Sequence, residues 1–206
     1  MKSIIKNCVL KILCAVQRIK YKLLFYDLNL DPWHISGTFY CRNYKIKTLE
    51  MINRIKPDYY IDIGCGIGEL LNKVKLKSTK KFGFDIDERL LSAIKKTNSK
   101  FYFSTNKRNF FNVLNKNITG KNNIIVVSLL GFSHKISDKK LIKLLNELYS
   151  NLGTYILITD SFYDKSKVYK YSHKDLLDRQ KKIIEYVERI DKLRSLYCIS
   201  FNEQII

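Results

Sequence analysis

Residues 59–71 read YYIDIGCGIGELL. Gly64, Gly66 and Gly68 stand at alternate positions directly behind an apolar run. Asp62 lies two residues before the first glycine and Glu69 directly after the last. Glycine permits a tight turn and lets a ligand approach the backbone without meeting a side chain. A helix beginning near Gly68 and Glu69 would turn its unpaired N–H groups toward the same crevice. About twenty residues later the run KKFGFDI ends near Asp85. A carboxylate there is a two-oxygen acceptor suited to the paired hydroxyls of a ribose. The competing role for Asp85 is a helix N-cap, which Asp87 is placed to fill instead. The nicotinamide fingerprint GxGxxG is not met, because Glu69 occupies the place of its third glycine. Two carboxylates beside the turn are also poor company for a pyrophosphate. They suit a ligand carrying a cationic centre and an amino group.

The elements that must hold these residues follow from periodicity. Short apolar runs predict strands over 59–63, 80–86, 100–104, 122–130, 154–162 and 194–201. Helical spacing predicts helices over 1–26, 45–56, 68–75, 87–97, 137–153 and 173–191. Strand 122–130 is a near-continuous β-branched run, the mark of a strand covered on both faces. Strands alternating with helices predict an α/β doubly wound, mostly parallel sheet. Its ligands bind beyond the carboxyl ends of the strands, where the strand order reverses. Residues 1–44 form an expected N-terminal extension, a helix followed by an aromatic segment that covers the cleft; 45–206 form the main domain.

IDIGCGIGEL followed by GFDIDERLLSAIKK resembles motifs one and two of the class I S-adenosylmethionine-dependent methyltransferases, over roughly residues 45–162. The resemblance implies a Rossmann-like methyltransferase fold with S-adenosylmethionine as cofactor. It implies that Asp62 reads the methionine amino group, that Gly64, Cys65, Gly66 and Gly68 pass beside the cofactor, that Asp85 holds the ribose and that Ile86 packs on the adenine. The family's third position, after strand three, falls on Asn109 and Phe110, where no carboxylate is present. Its fourth falls at the end of strand four, on Ser128, Leu129 and Leu130. LDPWHISGTFYCRNYK is similar to small methyltransferases of bacterial capsule and lipopolysaccharide gene clusters, through Trp33, His34, Arg42, Tyr44 and Lys45.

The acceptor is narrowed by exclusion. With two prolines in the chain, Pro32 and Pro57, the Asn/Asp-Pro-Pro-aromatic loop of exocyclic-amine methyltransferases cannot form, and no cysteine follows a proline. Acids after both strand four and strand five are needed for a magnesium site, and only Asp160 is placed for one half, so no metal is assigned. An alcohol acceptor gains from a positioned base. Of the three histidines, His134 after strand four and His34 in the covering segment are the candidates, while His173 reads as helix-start polarity. Trp33, Arg42, Tyr44 and Asp160 are the candidate substrate ligands; for Asp160 a solvated strand end is the alternative.

The formal net charge is +19, with 38 Lys and Arg against 19 Asp and Glu over 206 residues. A nucleic-acid or anionic-surface partner is one reading and general lysine enrichment the other, since the lysines are spread along the chain. The five cysteines show no CxxC pair and read as reduced thiols in the cytoplasm. The first 25 residues are too charged for a signal peptide or a membrane span. They read as a basic amphipathic helix, lying on the inner face of a membrane or covering the core. The expected function is methylation of a small polar acceptor, a sugar hydroxyl of a nucleotide-linked sugar or heptose in surface-polysaccharide synthesis. The alternatives are an RNA ribose methyltransferase and a non-catalytic cofactor-binding module.

Overall fold

The computed structural model describes residues 2–30, 39, 42–97, 99–119, 122–131, 136–164, 170–171, 173, 176–177, 183–191 and 194–203. The strands are β1 (Tyr59–Ile63), β2 (Lys80–Phe84), β3 (Tyr102–Ser104), β4 (Ile125–Leu129), β5 (Tyr155–Asp164), β6 (Lys170–Tyr171), β7 (Ile183–Asp191) and β8 (Arg194–Phe201). The helices are α1 (Lys2–Phe25), α2 (Asn43–Ile55), α3 (Glu69–Lys73), α4 (Arg89–Lys96), α5 (Lys107–Asn117) and α6 (Asp138–Leu152).

Seven strands form one sheet in the order β3-β2-β1-β4-β5-β8-β7, and β6 pairs with β5 off that path. The β1–β2, β1–β4, β2–β3 and β4–β5 pairs are parallel, and β8 is antiparallel to both its neighbours. The expected doubly wound sheet is what forms. Every residue of β1 and β4 is buried, as the β-branched run of β4 requires. On one face, Ile61, Ile63 and Val127 pack against Phe110 and Leu114 of α5 and Leu141 and Leu145 of α6. On the other, Tyr60, Val126 and Ile158 pack against Met51 and Ile52 of α2 and Leu70 and Leu71 of α3. Phe25 of α1 joins a third cluster with Leu90, Ala93 and Ile94 of α4.

Three expectations change. Residues 183–191 are a strand, not the end of a helix, because β8 offers an antiparallel edge along which β7 runs. Residues 107–117, given no element from the sequence, are helix α5, started by Asn106, whose side chain accepts the Asn109 N–H at 3.0 Å. Cys14 is disulfide-bonded, so its reading as a reduced thiol does not hold; Cys8, Cys65 and Cys198 are free.

Candidate active site

The carboxyl ends of β1, β2 and β4 open onto a cleft of about 870 Å³, part of it continuous with solvent. It lies where β1 is flanked by β2 on one side and β4 on the other, the point at which strand order reverses. Asp62, Gly64, Cys65, Gly66, Asp85 and Ile86 all line it, as the sequence predicts.

The glycine turn is stitched to the exit of β2. The Gly64 and Cys65 N–H groups donate to the Phe84 carbonyl at 2.7 and 3.1 Å. The Gly66 N–H donates to Asp85 Oδ2 at 2.9 Å, and the Asp87 N–H to Asp85 Oδ1 at 3.3 Å. Asp85 is thus held by two backbone donors, and a carboxylate with about four lone-pair sites keeps acceptor capacity for two more. Asp87 takes the local turn role, accepting the Arg89 N–H at 3.1 Å, which leaves Asp85 to the cleft. Ile86 is 81% exposed, a large apolar side chain held open at the cleft mouth.

Gly68, expected beside the cofactor, is not among the residues that line the cleft. Its φ is +71°, and a Cβ there would stand 2.2 Å from the Phe101 ring. Packing accounts for the glycine, because left-handed backbone here meets an aromatic ring.

Asp62 is 5% exposed and accepts the Ser128 hydroxyl at 2.5 Å. Ser128 in turn shares a 2.7 Å hydrogen bond with the Tyr60 hydroxyl. Burial pushes the Asp62 carboxyl up to about 7, against the Ser128 hydrogen bond and the Lys45 charge, with Asp85 adding to the rise. Such a group lacks a counter-charge suited to its burial, and a cationic ligand supplies one. Ser128 and Leu129 do not reach the cleft: Ser128 lies behind Asp62 and Leu129 belongs to the core. Of the three residues expected at this strand end, Leu130 lines the cleft, and Gly131 follows it there.

Asn109 and Phe110 are likewise displaced from their expected role. Phe110 is 1% exposed and packs on Phe84 within the core, while Asn109 faces solvent. Glu69 lines the cleft, yet its oxygens are engaged within the chain. Oε1 accepts from Gln17 Nε2 at 3.0 Å and the Phe39 N–H at 3.2 Å, and Oε2 pairs with Lys45 Nζ at 2.7 Å. One buried carboxylate therefore ties α1, Phe39 and α2 to the glycine turn.

Arg42 and Tyr44 line the opposite wall, with the Arg42 guanidinium 3.3 Å from the Tyr44 hydroxyl. Asp160 does not line the cleft and is not a solvated strand end. It is 1% exposed, ion-paired with buried Arg194, and accepts the Gly131 N–H at 2.8 Å. Arg194 lies over the Tyr44 ring at 4.2 Å. Asp160 thus acts behind two wall residues, Gly131 directly and Tyr44 through Arg194. Trp33, His34 and His134 lie outside the described residues. His173 is buried at 7% exposure, with Nδ1 paired to Asp138 and Nε2 without a hydrogen-bond partner among the described residues, so it is more than exposed helix-start polarity.

Sequence reasoning missed Ile67, Leu70 and Gly131 among the wall residues. Gly131 carried a readable signal, a lone glycine at a strand exit, and its φ is +75°.

The architecture is shared with solved methyltransferases. The N-methyltransferase NodS from Bradyrhizobium japonicum WM9, in complex with S-adenosyl-L-homocysteine, aligns with a TM-score of 0.56 over 89% of this chain and 98% of that one, at 13% identity. Magnesium protoporphyrin IX methyltransferase from Synechocystis PCC 6803, with bound S-adenosylhomocysteine, aligns with a TM-score of 0.54 over 95% and 98%, at 12% identity. An S-adenosylmethionine-dependent methyltransferase from Clostridium acetobutylicum ATCC 824 gives 0.51 over 90% and 97%, at 16% identity. No protein-family model matches the sequence, and no curated protein does. The chain has the Rossmann-like class I methyltransferase fold; at these identities the likeness defines the fold alone.

Proposed function

We propose that the protein is an S-adenosylmethionine-dependent methyltransferase whose acceptor is a small polar molecule, a sugar hydroxyl of a nucleotide-linked sugar or heptose used for surface polysaccharide. One observation carries the cofactor assignment. Two buried carboxylates, Asp62 and Asp85, end adjacent parallel strands and line one cleft, with the glycine turn docked onto Asp85. The residues present fit the cofactor's chemistry. Asp62 meets the ammonium, Asp85 accepts from the ribose hydroxyls, and exposed Ile86 covers the adenine. When bound, the cofactor supplies an electrophilic methyl group on a sulfonium.

The chain's own contribution is alignment and exclusion of water. Arg42 and Tyr44 form the wall available to the acceptor, and a guanidinium there suits the phosphates of a nucleotide-linked sugar. Asp160, through Gly131 and Arg194, fixes that wall. The base that receives the hydroxyl proton is assigned to His134 or His34 on sequence grounds.

The test is an acceptor screen read by mass spectrometry, with nucleotide-linked sugars and free heptoses beside RNA and small amines. The reading predicts a singly methylated sugar, formed only with cofactor present. Methylation of RNA or of an amine alone contradicts the sugar assignment. Binding with no product from any acceptor points to the non-catalytic module.

A further inference from the structure

Helix α1 has three sides, and only one is used by the fold. Cys14 and Phe25 are buried on that side, with Tyr21 and Leu24 half-buried beside them. The opposite side is apolar and open. Val9, Ile12, Leu13, Val16, Ile19 and Leu23 follow the three- and four-residue spacing of a single helical stripe, and Ile12, Val16, Ile19 and Leu23 are 62%, 59%, 60% and 72% exposed. At 100° per residue, Lys22 and Lys11 fall about 60–80° outside Ile19 on one flank of this stripe, and Lys20 falls on its other flank, between Val9 and Leu13. The helix contains no acidic residue.

From this arrangement we infer that α1 is the docking face for an anionic lipid bilayer, on which it lies parallel to the surface. The stripe enters the acyl boundary while the lysines along its borders extend to the headgroups. Among the described residues, no helix is long and apolar enough to cross a membrane, so the stripe is an interfacial one. Charge selects the lipid class. Beside Lys20 opens a groove lined also by Lys75, Lys77, Lys81 and Lys100, with no acidic residue in its wall. A second copy of the chain is a poorer occupant, because pairing stripe on stripe would bring basic borders against basic borders. The inference is independent of the methyl-transfer reading and fails or stands separately from it.

The experiment is co-sedimentation of the full chain with vesicles of phosphatidylcholine, alone or with about a quarter phosphatidylglycerol. The expected result is retention on the anionic vesicles, little on the neutral ones, and release as salt rises. The double variant Ile12→Ser/Ile19→Ser, at exposed positions, should bind the anionic vesicles at least about tenfold more weakly with an unchanged melting temperature. Undiminished binding by that variant would mean general attraction to a basic protein and overturn the docking face. Equal retention on neutral vesicles overturns the charge selection. A dimer in sedimentation velocity that the double variant abolishes, without vesicle binding, assigns the stripe to self-association instead.

Discussion

Asp62 carries a cost in the free protein that a bound cation removes. Its carboxyl titrates near 7 in the fold, against a reference value of 3.8. A raised folded-state value means that the native state holds the proton longer than the unfolded chain. The stability linked to this proton is complete below pH 3.8, declines between there and about 7, and stays lost above. Asp62→Asn keeps an acceptor for the Ser128 hydroxyl and removes the charge. At pH 8 it should therefore raise the stability of the free protein, by on the order of 2–4 kcal/mol as an upper bound, measurable in thermal melts. The same variant should lose cofactor affinity at least about tenfold in calorimetry, since the ammonium loses its counter-charge. In the unmodified protein affinity should fall as pH drops below about 7, approaching tenfold per pH unit. A variant that is less stable yet binds normally would contradict this account of Asp62. Asp62 and Asp85 were legible because both end strands bordering a glycine turn. Ser128 and Phe110 were misassigned because an offset along the chain does not say which way a side chain points. Ser128 pairs in register with Asp62 and reaches behind it, and α5 turns Phe110 inward.

The strands and helices differ in how plainly they were written. Strand 59–63 and strand 194–201 have the bounds their apolar runs predict. β7 did not read as a strand because its pairing with β8 is irregular. Register shifts between Ile183 and Glu185 and between Val187 and Asp191 break the two-residue alternation, leaving a pattern that resembles a helix. α5 was hidden by its asparagines, which have low helix propensity, although Phe110 and Leu114 mark its buried side. Two ties between elements invite measurement. Asp160→Ala would break the buried ion pair that joins β5 to Arg194 of β8, at a cost of about 3–5 kcal/mol, read as a lowered melting temperature. Gly68→Ala forces a side chain into left-handed backbone against Phe101, at a cost of about 1–3 kcal/mol. Wild-type melting by Gly68→Ala would show that α3 shifts freely, against the packing described here.

At the scale of the whole molecule, a doubly wound sheet gathers residues from β1, β2, β4 and α2 around one cleft, and the buried Glu69 fastens α1 and Phe39 to it. The parallel order was legible from the alternation of strands and helices. For α1 the sequence left two readings open, a membrane face or a cover for the core, because periodicity does not say which of its apolar residues meet the core. The central claim is that this cleft takes an adenosyl cation held between Asp62 and Asp85. Isothermal titration of the purified protein with S-adenosylmethionine and S-adenosylhomocysteine, beside a nicotinamide dinucleotide, tests it most directly. The account predicts one saturable site for the first two ligands, at micromolar concentrations, sharply weakened in Asp85→Ala, and no heat from the dinucleotide. Binding of the dinucleotide in their place, or no binding of either adenosyl ligand at about millimolar concentration, would contradict it.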